Sequence, residues 1–271
     1  MERHQTQDEA RLGGGPGGFG SFDRDGGRCE DSLSFFARNV NPQVMAILNV
    51  TPDSFSDGGR YFSSAAAIGR ARQFMDDGAD IIDIGGESTR PGATKVSWQE
   101  EWSRISDVIR GVSKSDVLLS VDTYHVETAE RAADLGVSII NCVYEEYVPA
   151  ILTLKERFED LKFVVPSKCI SLVKERGFLE DAYIDPMIGF GTTREEDIEL
   201  LKSIPQLSKM AKTLIGVSRK RIVKHLATQK YAFDAASSVA LALWAVMQGA
   251  SCVRVHDVRE TCAALRTIAS F

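Results

Sequence analysis

The sequence predicts an α/β fold, a single-domain (β/α)8 TIM barrel, and three observations carry that prediction. From residue 44 onward, short apolar runs rich in β-branched residues alternate with amphipathic segments long enough to be crossover helices. The runs number eight, at 44–49, 80–84, 117–121, 138–141, 162–166, 182–185, 213–217 and 252–255, and eight parallel strands close a barrel. No linker or break in composition marks a second domain after residue 43. The chain therefore divides into a leader, 1–42, and a barrel, 43–271.

In the leader, residues 13–20 carry the glycines of a nucleotide loop. No strand precedes them and no Gly-Lys-Ser/Thr follows, so they read as a flexible segment. The apolar patch 33–40 reads as a strand or hairpin plugging one end of the domain. The first barrel strand ends in Asn49. In the second, Ile81, Ile82 and Ile84 lie between Gly78 and Gly85, as in a parallel strand covered on both faces. The loop that follows has two glycines for close backbone approach, hydroxyls on Ser88 and Thr89, and the planar donor fork of Arg90. It is either an anion-binding loop or an ordinary βα loop with a surface arginine. Crossover helices are expected at 65–77, 98–111, 126–135 and 195–204. The segment 235–249 is more apolar and belongs inside an outer ring of helices or in a subunit contact.

Composition excludes several classes of function. A net charge of −6 without a basic cluster argues against nucleic acid as the main partner. Five scattered cysteines with no Cys-x-x-Cys spacing read as reduced thiols of a cytoplasmic protein. The polar N-terminus does not resemble a signal peptide, and the most apolar segment, 239–247, is too short to cross a bilayer, so no membrane partner is expected.

The strand ends carry the functional argument. Asn49, the loop 85–90, Asp122, Asn141, Asp185, Ser218-Arg219-Lys220 and Arg254-Val255-His256-Asp257 all follow or end predicted strands. In a barrel these ends meet at one mouth, where active sites of the fold sit. Asp122 or Ser218 alone could be a helix cap, but Arg254 and His256, two apart on one strand, suit that reading poorly. Asp122, Asp185 and Asn141 supply acceptors and an amide donor for a flat heterocycle with an amidine-like edge. Asn49, Thr89, Arg90, Arg254 and His256 supply neutral and cationic groups for a phosphate or pyrophosphate. Lys220 could serve either set.

Two long motifs resemble the signatures of the dihydropteroate synthase family: residues 49–59, Asn-Val-Thr-Pro-Asp-Ser-Phe-Ser-Asp-Gly-Gly, and 83–93, Asp-Ile-Gly-Gly-Glu-Ser-Thr-Arg-Pro-Gly-Ala. The resemblance extends over 42–271 through Ser120-Val121-Asp122-Thr123, Gly189-Phe190-Gly191, Gly216-Val217-Ser218-Arg219-Lys220 and Arg254-Val255-His256-Asp257. It implies a (β/α)8 barrel that joins 6-hydroxymethyl-7,8-dihydropterin pyrophosphate to p-aminobenzoate, releasing pyrophosphate, in folate biosynthesis. By resemblance the pterin pocket is Asp122, Asn141, Asp185 and Lys220. The pyrophosphate site is Asn49, Thr89, Arg90, Arg254 and His256, with Asn49 also holding Mg²⁺. Thr89, Arg90, Lys220, Arg254 and His256 are the implied catalytic residues, Pro91, Phe190 and Arg221 the acceptor contacts, and a homodimer the implied assembly. The reading of Phe190 as an aromatic merely packed on the rim stays open.

Several positions depart from the family pattern. Arg221 stands where the family usually has Ser, and Cys142-Val143-Tyr144-Glu145 where it has Asp-Val-Ser-Gly. Met187 replaces a usual Gly, and Thr192 a usual Lys. The departures cluster around the fourth to sixth strands and the acceptor side. They leave open a divergent paralogue that binds pterin without this turnover or uses another acceptor, and, less well supported, a pterin-binding methyl-transfer module.

Overall fold

A computed structural model describes residues 42–51, 59–88, 94–227 and 234–270. Its strands are β1 (Gln43–Asn49), β2 (Ile81–Gly85), β3 (Leu118–Asp122), β4 (Ile139–Asn141), β5 (Lys162–Pro166), β6 (Ala182–Asp185), β7 (Lys212–Ile215) and β8 (Cys252–Val255). They pair in parallel, in sequence order, into a closed barrel, which confirms the predicted fold class. The expectations for the leader and for the patch 33–40 lie outside the described residues.

The helices are α1 (Gly59–Asp76), α2 (Trp98–Val112), α3 (Val126–Asp134), α4 (Val148–Ile151), α5 (Ile170–Glu175), α6 (Arg194–Leu207), α7 (Arg221–Leu226), α8 (Asp234–Met247) and α9 (Val258–Ile268). Helix α2 starts at Ser97, whose hydroxyl accepts from the Glu100 N–H, and buries Ile105, Val108, Ile109 and Val112. The apolar α8 buries Ala242, Ala245 and Val246 but leaves Trp244 36% exposed, so it covers the barrel with one face only.

Three strand ends differ from expectation in ways that matter at the mouth. β2 and β3 each run one residue further, bringing Gly85 and Asp122 into the ladder. β7 stops at Ile215, two residues short. There the chain leaves the sheet for a turn in which the Lys220 N–H donates to the Val217 carbonyl at 3.1 Å and Arg219 takes a left-handed φ of 58°.

Side chains alternate across a strand, so every second residue points into the barrel. One interior layer is the cluster Met45, Ile81, Ile139, Val164, Tyr183, Leu214 and Cys252, with Leu118 packed against it, one residue from each strand. Two residues onward along each strand stand Ile47, Asp83, Ser120, Asn141, Pro166, Asp185, Gly216 and Arg254. An apolar plug therefore lies beneath a mostly polar layer, which is the floor of the mouth. Outside the sheet, Ile82 and Ile84 join Ile105 and Ile109 in the larger core.

Candidate active site

At the C-terminal mouth of the barrel lies a cavity of about 1440 Å³, lined among others by Asn49, Asp122, Phe190, Lys220, Arg254 and His256. Cα pairing across the sheet places Asn49 beside Gly85, Gly85 beside Asp122, and Asp122 beside Asn141. Asn141 and Asp185 are 2% and 6% exposed and sit at the floor. The residues expected for a heterocycle are thus brought together, and the phosphate candidates Asn49 and His256 share the same cavity.

Arg254 ties the floor together. Its Nε donates to Asp83 Oδ2 at 2.6 Å, and its Nη2 to Asp122 Oδ2 at 2.8 Å. Asp83 is fully buried and also accepts from the Asn141 amide at 3.0 Å and from the Ser120 hydroxyl at 2.6 Å. Burial works against the Arg254 charge, but the Asp83 and Asp122 carboxylates more than offset it, so its pKa is raised. Burial pushes Asp122 up to about 7 against the pull of Arg254, with Asp83 and Asp185 nearby adding to the rise. The sequence assigned Arg254 to a leaving anion alone; here it is equally a partner of Asp122, one of the heterocycle carboxylates.

Lys220 stands over the opposite side of the floor. Its Nζ donates to the Ile188 carbonyl at 2.6 Å and lies 4.4 Å from the centroid of the Phe190 ring. Burial lowers its pKa to about 8, opposed by the charge of Asp185. Asp185 is itself raised by burial, an effect opposed by Lys220 and by the Met187 N–H, which donates to its Oδ1 at 2.7 Å. Phe190 packs on Lys220 and also lines the cavity, a placement compatible with either reading of it. Met187, in place of a glycine, adopts a φ of 66°, the left-handed region that side chains rarely take.

His256 Nδ1 lies 3.1 Å from Ser218 Oγ, which also accepts from the His256 backbone N–H at 3.2 Å. Arg221 lines the cavity, and its Nη2 donates to the Thr192 carbonyl at 2.6 Å. Thr89, Arg90 and Pro91 lie outside the described residues.

The approach to that loop is partly different from expectation. A Cβ on Gly86 would stand 2.9 Å from side-chain atoms of Glu101 and Ile105, so this glycine admits helix α2 against the strand end. Glu87, 7% exposed, accepts from the Tyr124 hydroxyl at 3.2 Å and from the Val96 N–H at 3.1 Å, on the far side of the loop. Sequence reasoning missed Asp83 and Glu87 as site residues. Asp83 interrupts an otherwise isoleucine-rich buried strand, which was the available signal.

Comparison with known proteins agrees with this arrangement. The family model described as pterin binding enzyme matches residues 45–169 and 166–256. A dihydropteroate synthase of Streptococcus pyogenes serotype M6 is 38% identical over 249 residues, covering 83% of this chain and 93% of that protein. One from Staphylococcus haemolyticus is 36% identical over 239 residues, covering 80% and 90%. The solved structure of Xanthomonas albilineans dihydropteroate synthase with 4-aminobenzoic acid superposes with a TM-score of 0.75 at 35% identity, covering 84% of this chain and 92% of that one. A second structure of that enzyme, in complex with 7,8-dihydropteroate, gives 0.73 at 32% identity, covering 84% and 93%. With the barrel, its polar floor and these likenesses in agreement, the chain belongs to the dihydropteroate synthase family of pterin-binding enzymes.

Proposed function

We propose that this chain is a dihydropteroate synthase, a transferase that condenses 6-hydroxymethyl-7,8-dihydropterin pyrophosphate with p-aminobenzoate to give 7,8-dihydropteroate and pyrophosphate. The observation that carries the reading is the floor of the mouth. Asp122, Asn141 and Asp185 present acceptors to a donor-rich heterocycle edge, with Lys220 as a donor beside them.

The chemistry follows from the charges. As pyrophosphate departs, the pterin methylene gains positive charge, which the carboxylates of Asp122 and Asp185 offset from below. Asn49, His256, Arg254, Thr89 and Arg90 are assigned to the departing anion. The acceptor amine then needs correct placement only, so no covalent enzyme intermediate forms. Pro91, Phe190 and Arg221 are assigned to the acceptor. Asn49 would help hold Mg²⁺; among the described residues no cluster of three His, Cys, Asp or Glu exists, and an amide oxygen beside an anion site suits a hard cation bound mainly through phosphate oxygens. When bound, the ion would neutralise charge on the leaving group.

We further assign the protein to the cytoplasm as a homodimer. Four buried, unpaired cysteine thiols among the described residues support a reducing compartment, and exposed Trp244 on α8 supports the dimer. Among the described residues no helix is long and apolar enough to cross a membrane.

The test is pyrophosphate release from the dihydropterin substrate with Mg²⁺, with and without p-aminobenzoate, the pterin product being identified by mass. Dihydropteroate formation is expected. Release without coupling would favour the paralogue with another acceptor, the reading that the Arg221 contact to Thr192 supports; absence of release would refute the synthase.

A further inference from the structure

Asp83 makes no contribution in the reaction outlined above, yet it is the most connected side chain of the floor. It stands on β2 opposite Ser120 of β3, is 0% exposed, and takes hydrogen bonds from side chains of three other strands. The Ser120 hydroxyl donates to its Oδ1, while Asn141 Nδ2 and Arg254 Nε both donate to its Oδ2. Stability alone gives little reason for this arrangement, because a buried ion pair is often matched or bettered by apolar residues of the same volume.

The chemistry of the partners gives a better reason. An ionised carboxylate only accepts hydrogen bonds, so the side of the Asn141 amide facing Asp83 must be its NH₂. The two polar atoms of a planar amide point apart, so Oδ1 is turned away from Asp83. Without that carboxylate, the amide could rotate and present a donor in place of an acceptor. Arg254 is constrained in the same way. Its Nε is held by Asp83 and its Nη2 by Asp122, which orients the guanidinium plane and keeps one Asp122 oxygen engaged.

We infer that Asp83 is the positioning residue of the pocket: its carboxylate fixes Asn141 as an acceptor toward the bound heterocycle and holds Arg254 against Asp122. Asp83 touches no substrate and acts through these two side chains. The inference rests on the proposed function only for the identity of the heterocycle.

Two measurements separate the inference from that reading. In the ligand-free protein, the Asn141 side-chain NH₂ is expected to show slow hydrogen exchange by ¹⁵N NMR, and fast exchange in Asp83→Asn. Fast exchange in the unsubstituted protein would overturn the inference whether or not pterin binds. The second measurement is the dissociation constant of 6-hydroxymethylpterin, determined per folded molecule. Asp83→Asn should weaken it about 10- to 100-fold, the loss expected for hydrogen bonds to a charged group. Ser120→Ala, which removes one bond and leaves both constrained partners in place, should weaken it less than about 5-fold. A merely structural Asp83 would lower the melting temperature and leave the constant unchanged in both variants, which would refute the positioning role. Failure of the unsubstituted protein to bind the pterin would count against the proposed function alone, the exchange measurement still deciding the role of Asp83.

Discussion

Asp122 and Lys220 are drawn toward neutrality from opposite sides, because burial raises the acid to about 7 and lowers the base to about 8. The heterocycle reading requires Asp122 without its proton and Lys220 with it. Pterin affinity should therefore fall as pH drops below about 7 and fall again above about 8, giving a bell-shaped dependence measurable by calorimetry across that range. A profile missing one limb would remove the matching residue from the pocket, and a flat one would remove both. Asp185→Asn keeps the shape but loses the charge facing Lys220, so pterin affinity should fall by roughly two orders of magnitude, with little change in fold. Met187 is a different case, since its φ of 66° places a side chain where glycine would sit without strain. Met187→Gly should be neutral or stabilising by about 1 kcal/mol in thermal unfolding, the gain from relieved strain being partly offset by glycine's chain entropy. The polar strand ends Asn49, Asp122, Asn141 and Asp185 were legible in sequence because each follows an apolar run. Asp83 was not, because it sits within one and its partners Ser120, Asn141 and Arg254 lie far from it in sequence.

At the scale of elements, the start of α6 organises the loop that carries Phe190. Thr193 and Glu196 form a reciprocal capping box. One turn on, Asp197 accepts from the Gly189 N–H at 2.7 Å and from the Thr192 hydroxyl. Helix and loop are thus fastened by separate residues. Thr193→Ala should cost about 1 kcal/mol and lower the melting temperature by about 2–4 °C, while pterin affinity stays as it was; a matching loss of affinity would show that the cap also shapes the pocket. The long crossover helices were readable because their apolar residues recur with helical spacing, as the buried Ile105, Val108, Ile109 and Val112 show. α4 and α5 were not. Each is six residues or fewer, α4 carries Pro149 in its first turn and 3-10 turns flank it, so neither spans enough turns to show a period.

The whole molecule separates its tasks between the end of the barrel and its side. Every side chain assigned to pterin comes from the mouth of one closed barrel, whose eight strands could be counted in the sequence because each is a buried, β-branched run. The outer surface was less legible: the apolar segment 235–249 suggested either burial or a subunit contact, and α8 does part of each. It buries Ala242, Ala245 and Val246 against the barrel and leaves Trp244 exposed, while Leu226, which ends α7, is also exposed. An indole at such a position is a strong anchor for a partner surface, and a second copy of the chain is the proposed partner. Trp244→Glu places a charge at the centre of that contact, where desolvating it without a partner is costly. Sedimentation velocity should find the unsubstituted protein dimeric and this variant monomeric at micromolar concentration. Because no pterin residue lies on α8, the monomer should bind pterin as the dimer does. A variant that stays dimeric would put the interface elsewhere on the barrel wall, and a monomer that loses pterin would mean that the mouth depends on the partner for its shape.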